Sequence, residues 1–377
     1  MKNIDKNIIY LGWVSFFTDM ASNMVTTLLP IFIIYVLHEG VDKLGIIIAI
    51  ATFISYIFRI VFGYLSDRFQ IVKPFVVAGY FISAIAKPLM AFSGTYLAVA
   101  TLRGAERMGK AIRSASKDSL ISSYAKEKAD GKTFGFHKMM DISGELFGAL
   151  IIFVIFMFFA KSEVAIRDIF AFTLIPGLMA TMIAYVLVKD TPYKHKSKNI
   201  VVNKEDLKLL PILFIYFGFV FFVMSEQFFI LKAKELGYEL STISLFIMVF
   251  TFTQAVVSYY GGIFSDKFGI YKSLVASFMF AILSIMTLEI NLWISFIFLG
   301  LFTVISLNAI RADISKNAIS KGFIYGIFYA GVAIFSSLGA LIVGFIWKIY
   351  GFDTVVIFSE AGMIIMLILL MLSIKKI

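Results

Sequence analysis

Apolar residues run along this chain in blocks of about twenty, separated by short polar stretches, the pattern of helices that cross a bilayer. Twelve blocks can be drawn, at 8–37, 44–66, 73–93, 95–114, 134–160, 168–188, 208–231, 240–264, 272–290, 292–311, 323–349 and 352–374. One polar break is much longer than the others: Lys189–Lys208, reading KDTPYKHKSKNIVVNKEDLK, which divides the blocks into six and six. The expected architecture is an all-α integral membrane protein of twelve transmembrane helices. It has an N-terminal six-helix bundle over 1–188, a cytoplasmic linker over 189–207 and a C-terminal six-helix bundle over 208–377.

The fourth block interrupts the pattern. Its apolar run TYLAVATL leads into RGAERMGKAIRSASKD (103–118). Arg103, Glu106, Arg107 and Lys110 fall three to four residues apart and so share one helix face. Counted from Thr95, Arg103 lies about 12 Å and Arg107 about 18 Å along the helix, inside the membrane. Charges there are costly and mark a functional site by default. Lys110 and Arg113 are expected near the inner surface, where long side chains reach the headgroups. Gly104 to Gly109-Lys110 matches the start of a phosphate-binding loop, but Ala111 stands where Ser or Thr must hold Mg²⁺ and no strand precedes it. ATP binding is excluded.

Composition agrees with a membrane protein: of 377 residues 60% are hydrophobic and only 15% charged, against about 25% charged in a soluble domain. Without cysteine, disulfides, thiolate catalysis and Cys-ligated metals are excluded. His38, His137 and His195 lie far apart without metal-ligand spacing, so no metal or other cofactor is expected. The net charge of +10 is explained by its placement. With the N-terminus inside, inner loops and tails hold roughly 24 of the Lys and Arg residues and outer loops about six. Both termini are therefore expected in the cytoplasm of a cell-membrane protein, and no nucleic-acid partner is implied. MKNIDKN enters the first block without a small-residue cleavage site, so that block is read as a retained span.

The halves echo each other. Gly63-Tyr64-Leu65-Ser66-Asp67-Arg68-Phe69 closes span 2 and Gly262-Ile263-Phe264-Ser265-Asp266-Lys267-Phe268-Gly269 closes span 8. These segments resemble the loop 2–3 signature of the major facilitator superfamily and its weaker copy at loop 8–9. Ser15–Pro30, Gly79–Ala91, 103–118, Gly135–Gly148, Leu174–Gly177 and Ser225–Gly237 further resemble one prokaryotic branch of that superfamily. The resemblance implies alternating access between two bundles, with Gly63, Asp67, Arg68, Gly262, Asp266 and Lys267 forming a cytoplasmic latch. Gln70 and Ile71-Val72 depart from the family pattern of glycine and basic residues in the first copy.

Asp19, Glu106, Asp141, Glu145 and Glu226 all fall inside spans. A carboxyl group there can exchange a proton near neutral pH unless a cation stands close, so these are the proton-coupling candidates. Arg103 and Arg107 have two readings, as ligands for an anionic substrate or as charge partners of Glu106 and of acids on other spans. Arg59 and Lys87 are expected as structural partners of the same acids. Glu289, Arg311, Asp313 and Glu360 are read as lying at or near span ends, without a role. Gly144-x-x-x-Gly148 in span 5 lets helices approach closely and resembles the glycine-rich signature of exporters, although Ala149 replaces the usual proline. Gly331, Gly339 and Gly344 are expected to pack, and Pro30, Pro88 and Pro176 to kink their spans.

The resulting expectation is a monomeric, non-enzymatic secondary transporter that moves a small-molecule substrate, coupled to protons, more in the sense of an exporting antiporter. Uptake of an organic anion through the span-4 arginines is the alternative. A non-transporting sensor is disfavoured because the central loop is not enlarged.

Overall fold

The computed structural model describes residues 5–69, 72–124, 130–159, 162–190 and 204–374, with the side chains of 67, 115, 119, 122, 130–132, 134, 204–205, 259–268 and 374 excepted. In hydrocarbon a backbone must satisfy its own hydrogen bonds, and a helix does so within one segment. The described residues accordingly form thirteen α-helices: α1 (Lys6–Ile31), α2 (Val41–Phe69), α3 (Lys73–Leu89), α4 (Tyr96–Tyr124), α5 (Asp130–Val154), α6 (Ala165–Phe172), α7 (Leu174–Val186), α8 (Leu210–Phe222), α9 (Glu226–Glu235), α10 (Leu240–Met286), α11 (Leu292–Asn317), α12 (Lys321–Tyr350) and α13 (Phe352–Ile374). Eleven stretches among the described residues are long and apolar enough to cross a membrane. The twelfth span is α4, which has ample length at 29 residues but carries the charged stripe that lowers its hydropathy.

Five spans differ from the blocks drawn on the sequence. Span 6 is α6 followed by α7, with Thr173 at the join. Span 7 is broken: α8 stops at Phe222, Val223 is extended, and Ser225 caps α9 by accepting from the Gln227 amide. Spans 8 and 9 are joined through Gly269, at φ 79° and ψ 169°, a backbone region open essentially to glycine alone. Span 4 also runs ten residues past its expected end, to Tyr124.

Packing divides the chain into two compact units, Met1–Glu39 with Ile50–Lys198, and Gly40–Ala49 with Asn199–Ile377. In the first, α1 and α5 touch backbone to backbone: a Cβ on Gly144 would overlap the Phe16 carbonyl, and one on Gly148 would lie 2.5 Å from the Met20 carbonyl. A second close seam joins α3 to α4, where Gly79 faces the Gly109 carbonyl and Gly109 faces Ser83. Leu11, Val14, Val76, Tyr80, Leu120 and Ala184 belong to one buried apolar cluster near one end of these helices.

The second unit has an aromatic interior. Phe219 stacks on Phe278, and Phe246 on Phe296. Gly331 and Gly339 of α12 lie against the Phe217 ring and the Phe221 carbonyl, and Gly344 meets Gly45 at the start of α2. Nearby, Asp42 pairs with Lys348 at 3.0 Å and Lys43 at 3.3 Å. The buried Asp206 carboxylate accepts from the amides of Ile319 (2.7 Å) and Ser320 (2.9 Å), satisfying donors that open α12.

Candidate functional site

The first unit gathers the polar residues in two adjoining places, the α3–α4 seam and the α1–α5 seam. On α4, Arg103 and Glu106 are both completely buried. Arg103 donates through Nη1 to Glu106 Oε2 at 3.0 Å and through Nη2 to Thr26 Oγ1 of α1 at 2.7 Å. Arg107 brings its Nε to the same Oε2 at 3.2 Å. One carboxylate oxygen thus holds two arginines, and a buried pair of this kind survives because each charge meets its opposite. Glu106 Oε1 has no hydrogen-bond partner among the described residues. In this geometry Glu106 is paired with both arginines of the stripe.

Further along α4 the side chains diverge. Lys110 is exposed. Arg113 is not: it is 4% exposed, donates to Ser83 Oγ at 2.7 Å and the Gly79 carbonyl at 3.4 Å, and lies 4.5 Å from the Tyr80 ring centroid. Glycine at 79 lets α3 come near enough for this to be cheaper than reaching for solvent. Gly104 to Lys110 lies wholly within helix α4, so the lookalike phosphate loop has no loop.

Of the two expected structural cations, Lys87 lies within electrostatic reach of Glu106 and Asp19. Arg59 pairs with Asp118 at 3.2 Å. Lys87 is fully buried, and its Nζ has no hydrogen-bond partner among the described residues.

On the α1–α5 seam, Asp19 and Glu145 are half-buried. The glycines at 144 and 148 draw α5 onto α1 and set these two acids within electrostatic reach of each other and of Lys110. One turn before Glu145, Asp141 Oδ1 lies 3.3 Å from His137 Nδ1, close enough for charge but not aligned as a hydrogen bond. His137 Nε2 shares a 3.0 Å hydrogen bond with Ser15 Oγ, which also accepts from Lys117 Nζ at 3.4 Å. With Lys117 donating to Ser15, the serine hydroxyl is free to donate to Nε2, leaving Nδ1–H for Asp141. A hydrogen-bonded chain from Lys117 through Ser15 to His137 results, with Asp141 beside its end.

His137 and Asp141 stand four residues apart on one helix, so their pairing was legible. Ser15, Thr26, Ser83 and Lys117 had no signal in the sequence, because their partners lie on other spans.

In the second unit Glu226 heads α9, directly after the break in span 7, where the positive end of a helix favours a carboxylate. Gln227 beside it is buried, with Oε1 unpartnered among the described residues. Glu360 corrects an expectation. It lies eight residues into α13, about 12 Å from the helix start, and is therefore well inside the span. Of the latch residues, Gly63 and Arg68 lie in the last turns of α2, with Arg68 exposed. The side chains of Asp67, Asp266 and Lys267, and the surroundings of Gly262, lie outside the described residues.

The fold and its buried charged helix are those of a polytopic transport protein. The family profile of the Major Facilitator Superfamily matches residues 11–232, and the chain belongs to that superfamily. An uncharacterized MFS-type transporter of Methanocaldococcus jannaschii is 29% identical over 372 residues, covering 92% of this chain and 90% of that protein. An uncharacterized protein of Mycobacterium bovis is 35% identical over 92 residues, 24% of this chain and 22% of that one. Among solved structures, the nucleoside transporter NupG superposes with a TM-score of 0.79 at 12% identity, covering 98% of this chain and 100% of that one. A D-xylose-proton symporter superposes with a TM-score of 0.70 at 15% identity, covering 96% and 95%. These likenesses show the fold, and the protein is a secondary transporter of the superfamily type.

Proposed function

We propose that this protein moves a small organic solute across the cell membrane by alternating access, driven by exchange for protons, with both termini in the cytoplasm. The observation that carries the coupling is the pair Asp19 and Glu145. Both carboxyl groups lie within spans, neither has a hydrogen bond or ion pair among the described residues, and each is half open to its surroundings. A carboxyl group so placed is open to a proton, whereas one oxygen of Glu106 is already taken by two arginines. Asp141, at the end of the Lys117–Ser15–His137 chain, is the group through which a proton would pass to one side. Glu226, at the head of α9, is the coupling candidate of the second unit.

Export is favoured by the glycine-rich α5, whose resemblance to exporter helices coincides with its close contact on α1. The D-xylose-proton symporter among the structural relatives carries protons with its sugar, which supports coupling without fixing the solute or the direction here. Asp67 with Gly63 and Arg68, and Asp266 with Gly262 and Lys267, act in this reading as the latch that holds one side shut.

The test uses proteoliposomes with an imposed proton gradient and a solute chosen from a thermal-shift screen of metabolites, since a ligand stabilises the state it binds. Asp19→Asn and Glu145→Gln are each expected to keep solute exchange but lose the response to the gradient. Gradient-driven flux that is undiminished in both, and in Asp141→Asn, removes the coupling mechanism.

A further inference from the structure

Lys87 is a large side chain with no exposed surface, in the last turn of α3, and its ammonium has three donors to satisfy and no acceptor of its own. None of the described residues accepts from it. Burying an unpaired charge is strongly unfavourable, so the residue needs either a compensating partner or a reason to be there.

Its surroundings make the deficit larger. Lys87 lies one turn beyond Ser83, whose hydroxyl donates to the Glu106 carbonyl at 3.0 Å across the α3–α4 seam. The nearby charges acting on it are Glu106, Arg113, Asp19 and Arg103, in decreasing order. Arg103 and Arg107 already share one oxygen of Glu106, and Arg113 is satisfied by Ser83, the Gly79 carbonyl and the Tyr80 ring. Among these neighbours three cations (Lys87, Arg103 and Arg113) thus stand against two carboxylates, Glu106 and the half-buried Asp19.

The other helices packed on α3 do not restore the balance. α7 contains no acid, Asp168 of α6 is exposed, and Arg167 is turned to the carbonyls of Ala91 and Ser93 and the ring of Phe32. A positive excess inside a membrane span is costly and calls for a counter-charge.

We propose that Lys87 is an anion-binding group, receiving a small anion or the carboxylate or phosphate end of a solute at its Nζ. The Arg103–Glu106–Arg107 network forms the rigid wall beside it. Lysine suits the position because a compact point charge with three rotatable donors accepts anions of different shape, where an arginine fork would select planar ones. The inference rests on the transport reading for its physiological role, since an occluded anion must reach Lys87 through a conformational opening, but the binding itself can be tested apart from flux.

The experiment is thermal unfolding of the purified full-length protein in detergent, titrated with sodium chloride, phosphate, acetate, benzoate and succinate. Acetamide and benzamide serve as neutral counterparts, and solutions are matched in ionic strength. At least one anion is expected to raise Tm with saturation while its neutral counterpart does not. Lys87→Met is expected to raise the half-saturating concentration by about ten-fold or more, the loss of one charge-assisted hydrogen bond. Lys87→Gln serves as a second variant where the Met protein does not fold, and Lys138→Met, at an exposed position, is expected to respond as wild type.

Equal anion stabilisation in wild type and the Lys87 variants, or no anion outperforming its neutral counterpart in wild type, overturns the proposal. Anion binding that depends on Lys87 in a protein whose flux ignores the proton gradient would sink the coupling mechanism and leave this site standing.

Discussion

Arg103 and Glu106, one turn apart on α4, are joined at 3.0 Å with no solvent exposure on either side chain. A buried pair contributes little net stability when whole, yet breaking it leaves an uncompensated charge that costs about 3–5 kcal/mol. Arg103→Met is therefore expected to lower stability on that scale, moderated by Arg107, which still reaches Glu106. The double variant Arg103→Met, Glu106→Gln should recover part of the loss. Thermal unfolding of the single and double variants checks this, and strict additivity would show that the two side chains do not depend on each other.

Gly144 lies directly against the Phe16 carbonyl, whereas a Cβ on Gly135 of the same helix meets nothing within 4 Å. Overpacking a close seam costs about 1–3 kcal/mol. Gly144→Val is expected to reach or exceed that range and to separate Asp19 from Glu145, lowering transport as well as Tm. Gly135→Ala should leave both unchanged. If the two substitutions behave alike, the contact between α1 and α5 is not tight in the working protein.

Asp206 uses both carboxylate oxygens, one for each amide at the start of α12. Unfolding temperatures should fall in the order wild type, Asp206→Asn, Asp206→Ala, because asparagine keeps one carbonyl acceptor and alanine none. Any other order removes the capping role.

The latch proposal can be tested in a chain that has no native cysteine. Single cysteines placed along α2 and α10 can be labelled with a membrane-impermeant maleimide in oriented vesicles. Asp67→Asn and Asp266→Asn are each expected to raise labelling rates from one side by several-fold, about 1 kcal/mol of bias between two states. Rates unchanged in both variants would falsify the latch.

Much of the fold could be read from the chain because hydrocarbon leaves a segment few options. A run of about twenty apolar residues must close its own hydrogen bonds, so eleven of the spans follow from hydropathy, and the fourth from the apolar run that leads into its charged stripe. The duplicated Ser-Asp-basic-Phe segments, the family they resemble and the charged face of span 4 were legible for the same local reason. The break at 223–225 was not, because Leu, Phe and Val favour a helix on either side and only Ser225 hinted at a cap.

What the sequence by itself determined is a twelve-span membrane protein of this superfamily with charges buried in its fourth span. Which charge meets which was decided by tertiary structure alone. Helical spacing put Arg103, Glu106 and Arg107 on one face, but Thr26 reaches Arg103 only after α1 packs against α4. The glycines at 79 and 109 bring α3 close enough for Ser83 and the Tyr80 ring to take Arg113 out of solvent. The same packing leaves Lys87 inside without an acceptor among the described residues. Pairing energy in a membrane falls steeply with distance, and distances between helices are set by the small residues at their seams, many positions away from the charges they serve.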